Sequence, residues 1–301
     1  MTAHELFDGG QFATGVAVGV AAVAIAVVFY AVTPRRLTPL PAGGILLSVG
    51  ALVAIGRFRS VPTAVVIGVL GVALTSALTS LRPLATPWVA LCSLPFASLL
   101  AFHGGLVELT WLRVAVIAAI CVGGALAGSF DDNWAPTAPG LTLFAVSAAG
   151  VYLCAPDTEE IRALLGVAAV LALLGWPVRC ARLGRSGAAA AVATLVWVAA
   201  VDVRGRPASL IGALCCIGLL VAQPLGGALL PFARRALRET DREKRTLLLI
   251  VAHGVLVLVA SRAVGLRANL RAEVVGAIVV SIVALAVGAS FDATAPRSTQ
   301  G

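Results

Sequence analysis

Residues 128–139 read GSFDDNWAPTAP, and residues 289–296 read ASFDATAP. Each Ser-Phe-Asp closes a long apolar stretch, and each is followed within a few residues by Ala-Pro. Working outward from this pair, further landmarks recur in the same order. Pro34-Arg35-Arg36, Gly43-Gly44, Arg57, Arg59 and Pro62 match Pro177-Val178-Arg179, Ser186-Gly187, Arg204, Arg206 and Pro207. Pro87 to Arg113 and Arg245 to Arg271 are equal in length and end in Trp-Leu-Arg and Asn-Leu-Arg. The pattern predicts a duplicated five-helix unit, with Ser-Phe-Asp marking the end of each copy. The expected organisation is a first repeat over 1–139, a linker helix over 140–156 and a second repeat over 157–301.

The solvent expected around these helices is lipid. The 301 residues are 60% hydrophobic and 12% charged, with a mean hydropathy of +1.01. Soluble domains are roughly 45–50% apolar and about 25% charged. Eleven apolar runs can be drawn, near 12–33, 42–56, 61–80, 84–103, 110–129, 140–155, 161–177, 186–201, 207–232, 246–264 and 272–290. Most approach the roughly 20 residues that a membrane-spanning helix needs. Backbone groups in lipid must bond within their own segment, so each run is expected to be helix. The fold class expected is an all-α integral membrane protein of 10–11 transmembrane helices, multi-pass, in a bacterial inner or plasma membrane. The lipid bilayer is then its first partner.

The run 140–155 has no counterpart in the repeat. If it spans the membrane, the halves run parallel; if it does not, they are inverted. Pro139 and the Pro156-to-Glu160 stretch, PDTEE, bracket it cleanly, which favours a span. The Arg and Lys residues concentrate after the seventh and ninth runs and at the C-terminus. By the positive-inside rule this puts the N-terminus outside and the C-terminus in the cytoplasm.

The net charge is +8. The arginines fall in short gaps between apolar runs, so Arg35, Arg36, Arg234, Arg235 and Arg238 are read as contacts for anionic lipid headgroups or a partner, and no nucleic acid is expected. The segment 234–245, RRALRETDREKR, alternates charge at helical spacing. The six cysteines include no Cys-x-x-Cys and read as small core hydrophobes, with no metal site. The acidic N-terminus lacks the basic region of a signal peptide. Gly15-x-x-x-Gly19 and Gly124-x-x-x-Gly128 allow close helix approach, inside the bundle or against a second copy.

Few residues carry chemistry. His253 lies mid-run in LLLIVAHGVLVL. Ionisable groups at bilayer depth are costly and often functional, so it is a candidate proton-linked or substrate-contacting group, or else a neutral histidine bonded to a neighbouring helix. Gln223-Pro224 interrupts the ninth run, where proline frees a carbonyl and can shape a binding site. Asp131 and Asp132 form an acidic helix end, with Asp292 standing alone in the second copy. Adjacent carboxylates can hold Mg²⁺ and, through it, a diphosphate.

The Phe-Asp-Asp of 130–132 and the TPLPAGG of 38–44 resemble motifs of the membrane enzymes that transfer phospho-sugars to polyprenyl phosphate. The later acidic motif and the His-rich cytoplasmic loop of those enzymes are missing here. The size and the five-helix duplication resemble the plan of drug/metabolite-type carriers, without a sequence motif of that family. Three functions follow as expectations. The first is a permease-like transporter of a small or lipidic solute, without cofactor. The second is a membrane enzyme acting on a polyprenyl-phosphate or lipid through Asp131, Asp132 and Mg²⁺. The third is a non-catalytic subunit scaffolding a membrane complex or a homo-oligomer.

Overall fold

The computed structural model describes residues 10–32, 42–81, 86–104, 110–127, 139–154, 158–176, 178–202, 212–220, 242–263 and 275–283. Among these residues there are eleven helices and no strand. They are α1 (Gln11–Val32), α2 (Gly43–Gly56), α3 (Thr63–Leu81), α4 (Thr86–His103), α5 (Thr110–Ala118), α6 (Gly140–Cys154), α7 (Glu159–Gly175), α8 (Arg185–Asp202), α9 (212–220), α10 (Arg242–Ala263) and α11 (275–283). Each overlaps one of the apolar runs. After α5 the chain widens into a π-turn over Ala119–Gly123 and returns to α-helix over 124–127.

The centre of the bundle is α8. Every residue from Gly187 to Val201 on it is buried. Its sequence explains how: SGAAAAVATLVWVAAV carries mostly small side chains, so α2, α3 and the π-turn close around it. Gly124 lies against Ala189 of this helix. Pro95 interrupts α4, the neighbour that packs on both α3 and α5. A proline inside a helix removes one hydrogen bond and a π-turn shifts the register of others, so both are places where helices bend.

Helix direction follows from which residues meet. Gly68 packs on Leu100, Gly71 on Phe96, and Thr75 hydrogen-bonds Ser93 at 3.2 Å, so α3 and α4 are antiparallel. Ser76, near the end of α3, donates to the carbonyl of Arg185, the first residue of α8, so these two are antiparallel as well. By contrast α1 and α7 run parallel. Gln11 donates to Glu159 at 3.2 Å, Gly15 lies on Ala163, and Gly19 lies on Val167. Each of these residues meets one at the same distance from the start of the other helix.

The second parallel pair is α2 and α8. Their first turns meet at Gly44 and Gly187, where a Cβ on Gly187 would lie 2.8 Å from the Gly44 Cα. Only glycine leaves room for two backbones this close. Leading into α8 is a buried extended segment. Its Arg182 and Leu183 carbonyls accept from the Gly43 and Gly44 amides at 3.0 and 2.9 Å. Those amides belong to the first turn of α2 and have no partner within the helix. The chain enters that segment past Arg179 at φ 59° and leaves it for α8 through Gly184 at φ 76°.

The spare helix, α6, packs on α7 and α10. Its side chains meet α10 in rising order, Ser147 with His253 and Gly150 with Val257, so these two are parallel.

The outward faces are as apolar as the inward ones. On α3, Val65, Val69, Val72 and Ala73 are buried, while Ile67, Leu70, Leu74 and Leu78 are exposed. On α10, Leu249, Val257 and Ala260 are buried, while Leu248, Val251, Val255 and Leu258 are exposed. One described helix, α1 over Gln11–Val28, is long and apolar enough to cross a membrane; seven further apolar helices are shorter.

Replacing Gly187 by Val is expected to destabilise the protein by about 1–3 kcal/mol, since the added side chain meets backbone rather than a movable side chain. Gly218 has nothing within 4 Å of an added Cβ. Gly218→Ala is therefore expected to be neutral or stabilising by up to about 1 kcal/mol. Thermal unfolding of both variants in detergent, against wild type, checks the contrast.

Candidate functional site

Of the candidate substrate-, metal- and headgroup-contacting residues named from the sequence, His253 is the one among the described residues. Arg35, Arg36, Asp131, Asp132, Gln223, Pro224, Arg234, Arg235, Arg238 and Asp292 lie outside them. The helix α10 places His253 midway along its length, on the face turned towards α6, and the residue is fully buried. Its Nε2 is 2.9 Å from the hydroxyl of Ser147. The ring also bonds the backbone carbonyl of Leu143, one turn earlier on α6. A carbonyl accepts only, so the ring donates to it, whereas the Ser147 hydroxyl can either donate to Nε2 or accept from it. Both polar contacts of the ring are thus made to one neighbouring helix.

That neighbour is α6, the helix that the sequence pattern leaves without a counterpart. Ser147 is itself fully buried. It was not separable in the sequence, because a serine in an apolar run bonds its own backbone as readily as another helix. Several other buried hydroxyls here do so. Ser48 donates to the Gly44 carbonyl at 2.8 Å, Ser93 to Val89 at 2.9 Å and Thr194 to Ala190 at 2.9 Å.

A second polar cluster sits where α1 and α7 begin. Glu160, in the first turn of α7, is 6% exposed and forms an ion pair with Arg59 from the turn between α2 and α3. Glu159 beside it accepts from Gln11. Carboxylates in a first turn meet the positive end of the helix dipole, and here a guanidinium is added. This cluster joins the two sequence halves at the end of the bundle opposite Gly44 and Gly187. In sequence, Glu160 belongs to the PDTEE bracket, and nothing local to it points to Arg59.

Both glycine pairs for which a role in packing or in a dimer face was open pack internally as far as they are described. Gly15 and Gly19 touch α7, and Gly124 touches α8. Among the described residues there is no group of three or more His, Cys, Asp or Glu side chains placed to hold a metal ion. No protein-family model matches the sequence, and no curated protein is significantly similar to it.

The His253 pair gives a measurable prediction. Ser147→Ala should cost about 1–3 kcal/mol, the scale of leaving a buried polar group without its partner. His253→Leu alone should cost a similar amount, by leaving the serine without its partner. The double variant should recover part of both losses, because removing both partners leaves no buried polar group unpaired. A double-mutant cycle from thermal unfolding measures this coupling; strictly additive losses would show that the two side chains do not act together.

Proposed function

We propose that the chain is a multi-pass integral membrane protein of the carrier type, built from two parallel five-helix halves with α6 spanning between them. The observation that carries the membrane reading is the apolar outer surface. Val32 on α1 is 78% exposed, Val28 62% and Leu74 on α3 58%. Soluble monomers rarely leave so many large apolar side chains exposed on their surface helices. Lipid covers it without cost. Helices of 14–22 residues are about 21–33 Å long, against a hydrocarbon core of about 30 Å. Aromatic residues exposed at helix ends, Phe58, Trp88 and Phe102, suit the interfacial belts of such proteins. Arg113, 5.3 Å from the Phe102 ring, supplies a cation beside one of them.

The duplication reading draws on α1 with α7 and α2 with α8. In the landmark alignment each helix of a pair is the counterpart of the other, and in each case counterparts touch in parallel. A two-fold axis along the helices gives that arrangement, and transporter halves are commonly related in this way. The halves meet at close glycine contacts, along the buried length of α8, where Trp197 donates to the Gly104 carbonyl at 2.8 Å, and at the Arg59–Glu160 pair. The half-exposed Arg59 makes that last link one that water can replace, which supports a carrier over a static scaffold. The enzyme reading depends on Asp131 and Asp132.

Two measurements test the proposal at its two levels. The protein should stay with the membrane after carbonate extraction; release into the supernatant would remove the membrane reading. Proteoliposomes incubated with a cell metabolite extract should deplete a subset of solutes, by mass spectrometry, relative to empty liposomes. No difference in any solute at several imposed pH and salt gradients would remove the carrier reading and leave the membrane reading in place.

A further inference from the structure

Three thiols gather where α6 meets α9. Cys154 is the last residue of α6, and Cys215 and Cys216 lie on α9. All three are free and buried, Cys216 fully so. The backbones come close at this point. Gly150 sits one turn before Cys154, on the same face of α6. A Cβ placed on Gly150 would lie 3.2 Å from the Cys216 Cβ and 2.8 Å from its Sγ. The Cys216 thiol therefore rests directly on the α6 turn that ends in Cys154. Cys154 follows one turn later on that same face of α6, so its thiol lies beside that of Cys216, which also reaches the Val257 carbonyl at 3.9 Å.

We propose that Cys154 and Cys216 form a redox-active thiol pair that closes to a disulfide between α6 and α9. A disulfide requires Cβ atoms about 3.5–4.5 Å apart and Cα atoms about 4.4–6.8 Å apart. Helices in contact through a glycine reach such separations without large movement. Cys215 is next in sequence but points from a different position on the helix, about 100° away around the axis, so the pairing is selective. In the oxidation both S–H bonds break and one S–S bond forms. Two electrons and two protons pass to an oxidant, which must be lipid-soluble to reach buried thiols. A membrane-dissolved quinone, leaving as the quinol, meets that requirement. The choice of oxidant rests on the bilayer reading; the choice of cysteines does not.

The staple would tie α6, the helix outside the repeat, to α9 of the second half. Since α6 already packs on α7 and α10, the second half would become one covalently braced unit.

The experiment uses the full chain in membranes, treated with duroquinone, then denatured and alkylated with a maleimide of known mass. Two of the six thiols should become unreactive, and reduction should restore them. Peptide mass spectrometry should find Cys154 joined to Cys216. The melting temperature of the oxidised protein should exceed that of the reduced protein. Cys215→Ala should leave the loss of two thiols unchanged, whereas Cys154→Ala and Cys216→Ala should each abolish it. Six reactive thiols after treatment, a linked peptide containing Cys215, or oxidation that survives Cys154→Ala would each overturn the proposal. A protein absent from the membrane fraction would instead fail the bilayer reading, and the same thiol count on purified protein treated with diamide then decides the pairing.

Discussion

Gly44 and Gly187 meet backbone to backbone, and the position of the central helix depends on that contact. Neither residue has a Cβ, so the first turns of α2 and α8 come closer than any other pair of residues would permit. The close approach brings the Gly43 and Gly44 amides within reach of the Arg182 and Leu183 carbonyls. Amides that helix geometry leaves unpaired thereby meet the carbonyls of a non-helical segment, and each set satisfies the other. In water such groups would find solvent. In the interior of this bundle the alternative is an unbonded amide, which costs several kcal/mol. The glycines and the extended segment before α8 are thus one device, and α8 is buried over its length because of where that device puts it.

With α8 fixed, the rest of the packing depends on small residues. On the membrane reading the surrounding solvent is as apolar as leucine, and helices there gain little by burying hydrophobic side chains against one another. What favours their association is close contact and internal hydrogen bonding. The seams here fit that rule. Gly15 and Gly19 hold α1 on α7, Gly68 and Gly71 hold α3 on α4, and Gly150 holds α6 on α9. The polar contacts between helices are specific; among the described residues they include Thr75 with Ser93, Ser76 with the Arg185 carbonyl, Thr142 with the Ala172 carbonyl, Trp197 with the Gly104 carbonyl, and Ser147 with His253.

The same physics decides what was legible in the sequence. Helix number and rough position were open to reading, because the breaks are chemically distinct: Arg57 to Pro62 between α2 and α3, Pro139 before α6, and PDTEE before α7. Which helix packs on which was not. A water-soluble helix declares its inward face by an apolar stripe. On α3 and α10 valines and leucines occupy both faces, so no stripe exists to read. The π-turn at Ala119–Gly123 has no signature in AICVG, whereas Pro95 in α4 is visible as a proline inside an apolar run. For the candidate site, the burial of His253 follows from its place in the middle of a run. Its partner does not, because Ser147 looks like any other helical serine and lies 106 residues away.

The two ends of the bundle join the sequence halves by different means. At one end the link is charge. Glu160 is buried in the first turn of α7, and Arg59, whose side chain is 45% exposed, reaches it from the first half. Water competes for that arginine, so the pair can be exchanged for solvation at modest cost, provided the carboxylate is hydrated at the same time. At the other end the link is backbone packed on backbone with its hydrogen bonds internal, and water has no access to compete. Under the carrier reading this inequality assigns the parts. The Gly44–Gly187 end is the fulcrum, since separating it would strip amides of partners. The Arg59–Glu160 end is where the halves can part, since water can replace what is lost there. His253 belongs to neither end. It ties α10 to α6, the helix between the halves, and under the same reading would make α6 move with α10.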